Sequence, residues 1–230
     1  MFGINISIFN EFLFLGQALF SVLCLFGMVV LSYEALAGFL VLQFVLANVF
    51  VTKQIVLFGI STTCSEVFIV SGMYGISLIR DQYGQRKALH VLWLSFAALV
   101  FVMLLTQIHL LYAHTEPIGV ERAYSMIFKY TPRILLASLA AYTVSERLHL
   151  LFVSFFRLIF SPMLADVTAL WCGQLADTAL FAIIGLLGIV ASVGQVIVMS
   201  MGIKTILILI IVPILNIVRD KIFPNMRPLA

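Results

Sequence analysis

Charge is the scarcest thing in this chain. Asp, Glu, Lys and Arg make up 10% of its 230 residues and hydrophobic residues 63%, where a soluble domain carries about 25% charge. So few charges cannot clothe a water-facing globule, no polar stretch is long enough to fold alone, and the mean hydropathy is +1.18. The chain reads as one polytopic membrane domain surrounded by lipid. Cysteine is nearly absent too. Cys24, Cys64 and Cys172 lie in or beside apolar runs without the spacing of a metal site, and read as packing residues. His90, His109, His114 and His149 include no pair three or four residues apart, which removes zinc-protease and haem-pair arrangements. A glycine-rich phosphate loop, HExxH and G-x-S-x-G are all missing. Neither metal nor cofactor is expected, nor nucleotide hydrolysis by this chain alone, nor a nucleic-acid partner.

What is present is long apolar runs. About 30 Å of hydrocarbon needs some twenty helical residues, and seven stretches qualify, near 12–33, 36–57, 63–80, 88–112, 132–152, 163–188 and 203–219. The fold class is therefore all-α, a membrane helix bundle of about seven spans. No Lys or Arg precedes the first run, so it is expected to be a retained span and not a cleaved signal peptide. The short apolar stretch 189–202 reads as re-entrant, interfacial or an extension of its neighbours. Residues 113–131, with Pro117 and Gly119, read as the longest polar connection. Arg80, Arg86, Lys87, Arg147, Arg157, Arg219, Lys221 and Arg227 fall on one side, against Arg122 and Lys129 on the other. The positive-inside rule then puts the C-terminus in the cytoplasm and the N-terminus outside.

Against this background the buried ionisable residues stand out, because each costs several kcal/mol at the bilayer centre unless it faces protein or water. Asp166 and Asp177 are eleven residues apart, three helical turns plus roughly 20°, so they share a stripe with Gly173 between them and Gln174 beside it. They are roughly 16 Å apart along the axis, too far for one small substrate to bridge. Lys53 sits among Gln43, Asn48, Thr52 and Gln54 late in the second run, which suggests a face toward a cavity. Arg133 opens the fifth run above Ala137, Ala140 and Ala141. It either snorkels to the interface or pairs with an acid or substrate. Lys204 begins the last run, where snorkelling is the simple reading. Glu66 lies about one turn into the third, near an interface. Ser71, Gly72 and Gly75 supply a close-packing surface there. Pairing among these charges is one explanation. Yet apolar packing would serve stability as well, and six charged groups over five runs read more like a central polar site.

At these residues the sequence resembles the queuosine precursor, or vitamin uptake, transporter family over roughly 36–220. The resemblance rests on Asn48-Val-Phe-Val-Thr-Lys53, on Asp81-Gln-Tyr83-Gly84, on Arg133 through Ser138, Ala141 and Tyr142, and on Gly173-Gln174-Leu-Ala-Asp177-Thr178 with Phe181, followed by Lys204 and Pro213. It departs from the family pattern at Ser77, where a second aspartate is usual. The resemblance implies six common spans within 35–221, an added N-terminal span in 1–34 and a short cytoplasmic tail at 222–230. It also implies uptake of a purine-like base, 7-cyano-7-deazaguanine, 7-aminomethyl-7-deazaguanine or queuine, through a bacterial inner membrane for transfer-RNA modification. The small-residue seams allow a homodimer.

A 7-deazaguanine presents a ring N1–H and an exocyclic amine beside a carbonyl. A carboxylate accepts from both donors, and an amide or cation serves the carbonyl. Asp177, Gln174, Asn48 and Lys53 supply those groups, with Arg133, Lys204, Asp166 and Glu66 as further candidates. Trp171, Tyr142 and Phe181 are available to stack. A substrate-binding subunit of an ATP-driven importer and an intramembrane enzyme are the competing readings.

Overall fold

The computed structural model describes residues 6–112 and 118–211. Its elements are α1 (Ile6–Leu31), α2 (Tyr33–Phe50), β1 (Gln54–Leu57), β2 (Ile60–Thr63), α3 (Glu66–Tyr83), α4 (Gln85–His109), α5 (Ile118–Phe128), α6 (Thr131–Phe156), α7 (Pro162–Phe181) and α8 (Val193–Ile206). π-helical turns, Ala182–Leu186 and Leu207–Ile211, extend α7 and α8. This is an all-α membrane helix bundle. Stretches of α1, α2, α4, α5–α6 and α7 are long and apolar enough to cross a membrane, and Val193–Leu209 is a shorter apolar helix. The last run's residues 212–219 and the basic tail, Arg219, Lys221 and Arg227, lie outside the described residues, as do His114 and Pro117.

Local chemistry sets the helix boundaries. Ser32 caps α2 by accepting from the Ala35 N–H at 3.1 Å, and Ser192 caps α8 by accepting from Gln195 at 3.4 Å. Pro162 opens α7, where a missing N–H costs nothing. Gly84, at φ 85°, breaks what would be a single helix into α3 and α4, a conformation that side chains resist. The outward faces of α1 expose Phe12, Leu13, Leu15, Leu19 and Phe20, as expected of a helix whose solvent is lipid.

Two apolar centres stand out among the described residues, beside a smaller one at Ala47, Val67 and Phe68. Leu25 and Val29 of α1, Leu36 and Leu40 of α2, Tyr74 and Leu78 of α3 and Val91 of α4 form one. Val51, Ile134 of α6, Ala182 and Leu186 of the first π turn and Val196 of α8 form the other. Glycine allows the close approaches inside and between them. A Cβ on Gly75 would stand 2.3 Å from Leu40 Cδ2, and one on Gly173 would stand 3.2 Å from His149 Cβ. Of the alanines below Arg133, Ala137 and Ala141 are buried but Ala140 is exposed, so the packing seam is narrower than its spacing suggests.

Three expectations need correction. The second run does not continue to 57: α2 ends at Phe50, and 54–63 form an antiparallel hairpin pairing Gln54 with Thr63 and Leu57 with Ile60. Ile55, Val56, Ile60, Thr62 and Thr63 are β-branched, and Phe58 and Gly59 take positive φ in a two-residue turn. A hydropathy window cannot tell such a pair from a helix end. Secondly, 113–131 is not merely a connection, because α5 occupies Ile118–Phe128. Thirdly, the last helix begins at Val193 and not near 203, so most of 189–202 belongs to it.

Strand edges present unpaired backbone groups that need partners. The hairpin finds them on both sides. Asn10 Nδ2 donates to the Val56 carbonyl at 3.2 Å and the Phe58 N–H donates to Glu11 Oε1 at 3.0 Å, both on α1. The Ser61 N–H donates to Gln195 Oε1 at 3.2 Å, and Gln54 Oε1 accepts from the Ala191 N–H at 2.9 Å. The strap thus joins α1 to the α7–α8 connection.

Candidate functional site

Beneath the hairpin, polar groups are buried in a row. Thr62, Thr63, Ser65 and Glu66 are at most 3% exposed, and Ser200, Lys204 and Thr178 at most 6%. The Thr63 and Ser65 hydroxyls share a hydrogen bond of 2.6 Å at the head of α3. Ser200 of α8 donates to Glu66 Oε1. One turn further along α8, on the same face, Lys204 Nζ lies 2.8 Å from Thr178 Oγ1 and 3.3 Å from Asp177 Oδ2, both on α7. Trp171 Nε1 donates to Thr205 Oγ1 at 2.9 Å and ties the same two helices. The row therefore crosses α3, α8 and α7 as Glu66, Ser200, Lys204, Thr178 and Asp177.

Two features give this seam chemical capacity. The Asp177 side chain keeps 30% of its surface exposed while that of Lys204 keeps 8%, so the carboxylate is the accessible half of the pair. Glu66 Oε2 has no hydrogen-bond partner among the described residues, although it is sealed from solvent. Buried polar atoms are nearly always satisfied, so an orphan on a carboxyl group marks capacity left unused.

The candidate residues separate cleanly. Glu66, Asp177 and Lys204, drawn from three different runs, come together. Lys204 is buried against α7, and Glu66, although it opens its helix, is buried against α8. Gln174 lies half-buried on α7 close to Asp177 in sequence. Asn48 Nδ2 donates to the Phe44 carbonyl of its own helix at 3.0 Å. Lys53 is exposed in the loop before β1, since the helix face that was to carry it ends at Phe50. Arg133 is exposed and donates from Nε to the Ile184 carbonyl at 2.8 Å. Among the described residues it satisfies a carbonyl of the π turn that follows α7. Asp166 falls on α7, its side chain outside what the structure describes. Of the aromatic candidates, Tyr142 packs on Phe96 with centroids 5.5 Å apart. Among the described residues no three His, Cys, Asp or Glu cluster as metal ligands.

Sequence reasoning missed Ser200. Its position four residues before Lys204 was a usable signal, since it shares the lysine's face. The pairing of Ser200 with Glu66, 134 residues away, had no such signal.

Residues 64–218 match a protein family described as "Putative vitamin uptake transporter". That stretch begins beside α3 and contains the whole seam. A Bacillus subtilis (strain 168) protein named "Probable queuosine precursor transporter" is 28% identical over 136 residues, 57% of this chain and 59% of that relative's length. No solved structure matches.

Proposed function

This chain belongs to the vitamin uptake transporter family, and on that premise we propose that it imports a queuosine precursor base across the plasma membrane. The cargo is a 7-deazaguanine: 7-cyano-7-deazaguanine, 7-aminomethyl-7-deazaguanine or queuine. The name of the Bacillus relative supports the class, and one observation in this chain carries the mechanism. The Asp177 carboxylate is partly open, while its cation partner Lys204 is buried.

In this reading Asp177 accepts from the N1–H and the exocyclic amine of the base, with charge-assisted strength. Gln174 serves the carbonyl. Alternating exposure follows if the N-terminal helices and α6–α8 rock against each other around the seam, with the hairpin strap holding one end closed. The hairpin, the α7–α8 connection and the start of α6 share one end of the bundle, as their hydrogen bonds show. The basic residues Arg80, Arg86 and Lys87 occupy the other. The positive-inside rule assigns the hairpin end to the outside.

The test is reconstitution of the purified chain in liposomes with labelled 7-cyano-7-deazaguanine, 7-aminomethyl-7-deazaguanine and queuine. Accumulation of any one by the lone chain supports a self-sufficient carrier. Binding without movement favours a subunit that needs an ATP-driven partner. Neither binding nor movement of all three overturns the reading.

A further inference from the structure

We propose that Glu66 is a proton-binding site linked to cargo through Lys204, so that each base bound drives one proton from Glu66. The inference rests on the reading of Asp177 as the base-binding carboxylate. Its foundation is geometric. Glu66 is 3% exposed, accepts a hydrogen bond from Ser200 at Oε1, and leaves Oε2 buried without a partner among the described residues. A carboxylate buried with an empty oxygen is far more costly than a neutral acid that accepts from Ser200 at Oε1 and carries its proton on Oε2. A proton is the ligand that fits this sealed position without rearrangement.

Lys204 connects this proton to cargo. Its ammonium holds Asp177 Oδ2 at 3.3 Å and Thr178 Oγ1 at 2.8 Å, and its charge also acts on Glu66. A guanine-like edge needs both oxygens of Asp177, one of which Lys204 occupies. When the base takes both, the ammonium loses its carboxylate partner and turns toward Glu66. Ser200 and Lys204 lie one turn apart on α8, about 6 Å along one face. Glu66 then gives its proton to water that reaches it as the seam opens around the cargo, and becomes the counter-ion of Lys204. Before the step the seam holds one carboxylate and one ammonium; after it, Lys204 compensates the buried Glu66, while Asp177, whose side chain is 30% exposed, stays ionised against the two donors of the neutral base.

Other charges are poorly placed to play this part. Among the elements packed on α3, α1 contributes Glu11, which accepts from the Phe58 N–H. In α2 the charged residue is Glu34, in the first turn and away from the hairpin. In α4, Arg86, Lys87 and His90 lie at the start and His109 in the last turn. The hairpin carries no charge between Gln54 and Thr63, and Lys53, whose carbonyl accepts from the Cys64 N–H at 2.9 Å, has its side chain exposed while Glu66 is buried. On α3 itself, Arg80 and Asp81 pair with each other at 3.6 Å at the far end.

The experiment has two arms on the full-length protein. Infrared difference spectra between acid and alkaline pH, without cargo, should show a protonated-carboxyl band that Glu66→Gln removes and Lys204→Met shifts. Calorimetry with 7-cyano-7-deazaguanine in buffers of different ionisation enthalpy should give close to one proton released per base. Affinity should fall about tenfold per pH unit below the Glu66 titration, and Glu66→Gln should flatten both. A spectrum unchanged by Glu66→Gln overturns the proton site. The same proton release from wild type and Glu66→Gln, or sodium-dependent binding with no proton released, overturns the linkage. A Glu66 band that responds to Lys204→Met, with no base bound, leaves the proton site standing and removes the base reading.

Discussion

Asp177→Asn should destabilise this protein more than Lys204→Met, although the two variants break the same ion pair. The difference lies in what each leaves behind. Lys204→Met strands a carboxylate whose side chain is 30% exposed, so water repays much of the loss, whereas Asp177→Asn strands an ammonium that is 8% exposed with Thr178 as its hydrogen-bond acceptor. Removing one partner of a buried pair costs about 3–5 kcal/mol. That range applies to Asp177→Asn at a pH low enough to keep Glu66 protonated, where Lys204 finds no other counter-ion in the seam, and solvent screening of the surviving carboxylate reduces Lys204→Met to about 1–2 kcal/mol. At roughly 2–4 °C per kcal/mol for a chain of this size, the midpoints should fall by about 6–20 °C and about 2–8 °C. Asp177→Asn/Lys204→Met, with no charge left to strand, should recover most of the larger loss. The assay is thermal unfolding of all four proteins in one detergent, with membrane insertion checked by expression. Equal losses from the single variants, or a double variant that sums them, would refute an asymmetrically buried pair. Uptake adds a second reading, since Asp177→Asn should abolish it even where the protein remains folded.

Adenine in excess should barely compete with a labelled 7-deazaguanine, because it offers no N1–H to Asp177, and sites that read hydrogen bonds reject such analogues by about 10⁴; guanine should compete better than adenine, and equal competition would remove Asp177 as the reader of the base edge. Arg133→Ala removes a charge-assisted bond to the Ile184 carbonyl at an exposed position, so it should cost about 1 kcal/mol and reduce uptake far less than Asp177→Asn, measured side by side in liposomes. Gly75→Ala sets a methyl 2.3 Å from Leu40 Cδ2 and 2.8 Å from Leu25 Cδ1 between two fully buried leucines, an overpacking of about 1–3 kcal/mol that should lower the melting midpoint and that Leu40→Ala should partly relieve. Phe58→Asn should raise stability by about 1 kcal/mol in denaturation measurements, because Phe58 is 64% exposed at φ 52° and Asn tolerates that conformation.

How much of this was legible in the sequence depends on the range of each interaction. Composition and the length of the apolar runs were enough for an all-α membrane bundle, since both act residue by residue. Glu66, Asp177 and Lys204 stood out for the same reason, as ionisable groups in apolar surroundings. Their partnership did not, because Lys204 finds Asp177 across 27 residues and Ser200 finds Glu66 across 134, and nothing local encodes either meeting. Lys53 and Asn48 were placed on a cavity-facing helix because 36–57 is continuously apolar enough. The hairpin at 54–63 owes its stability to Asn10, Glu11 and Gln195, which a window of neighbouring residues cannot see. Arg133 was assigned two roles, and the structure supplies a third, a backbone carbonyl freed by the π turn after α7.

The bond between Ser200 and Glu66 also sets a problem of timing for synthesis. Glu66 is made 134 residues before Ser200, which at roughly 5–20 residues per second is an interval of about 7–27 s. During that interval α3 enters the bilayer with neither Ser200 nor Lys204 yet in existence. The acid must wait at the translocon or the lipid boundary, screened by whatever water or chaperone surface is present there. The hairpin faces the same delay, since Gln195 and Ala191 reach Ser61 and Gln54 across 134 and 137 residues. These contacts are therefore completed only when α8 is made. A chain cut before α8 would leave a half-built membrane protein displaying a buried acid and an open strand edge, the kind of defect that quality-control proteases recognise.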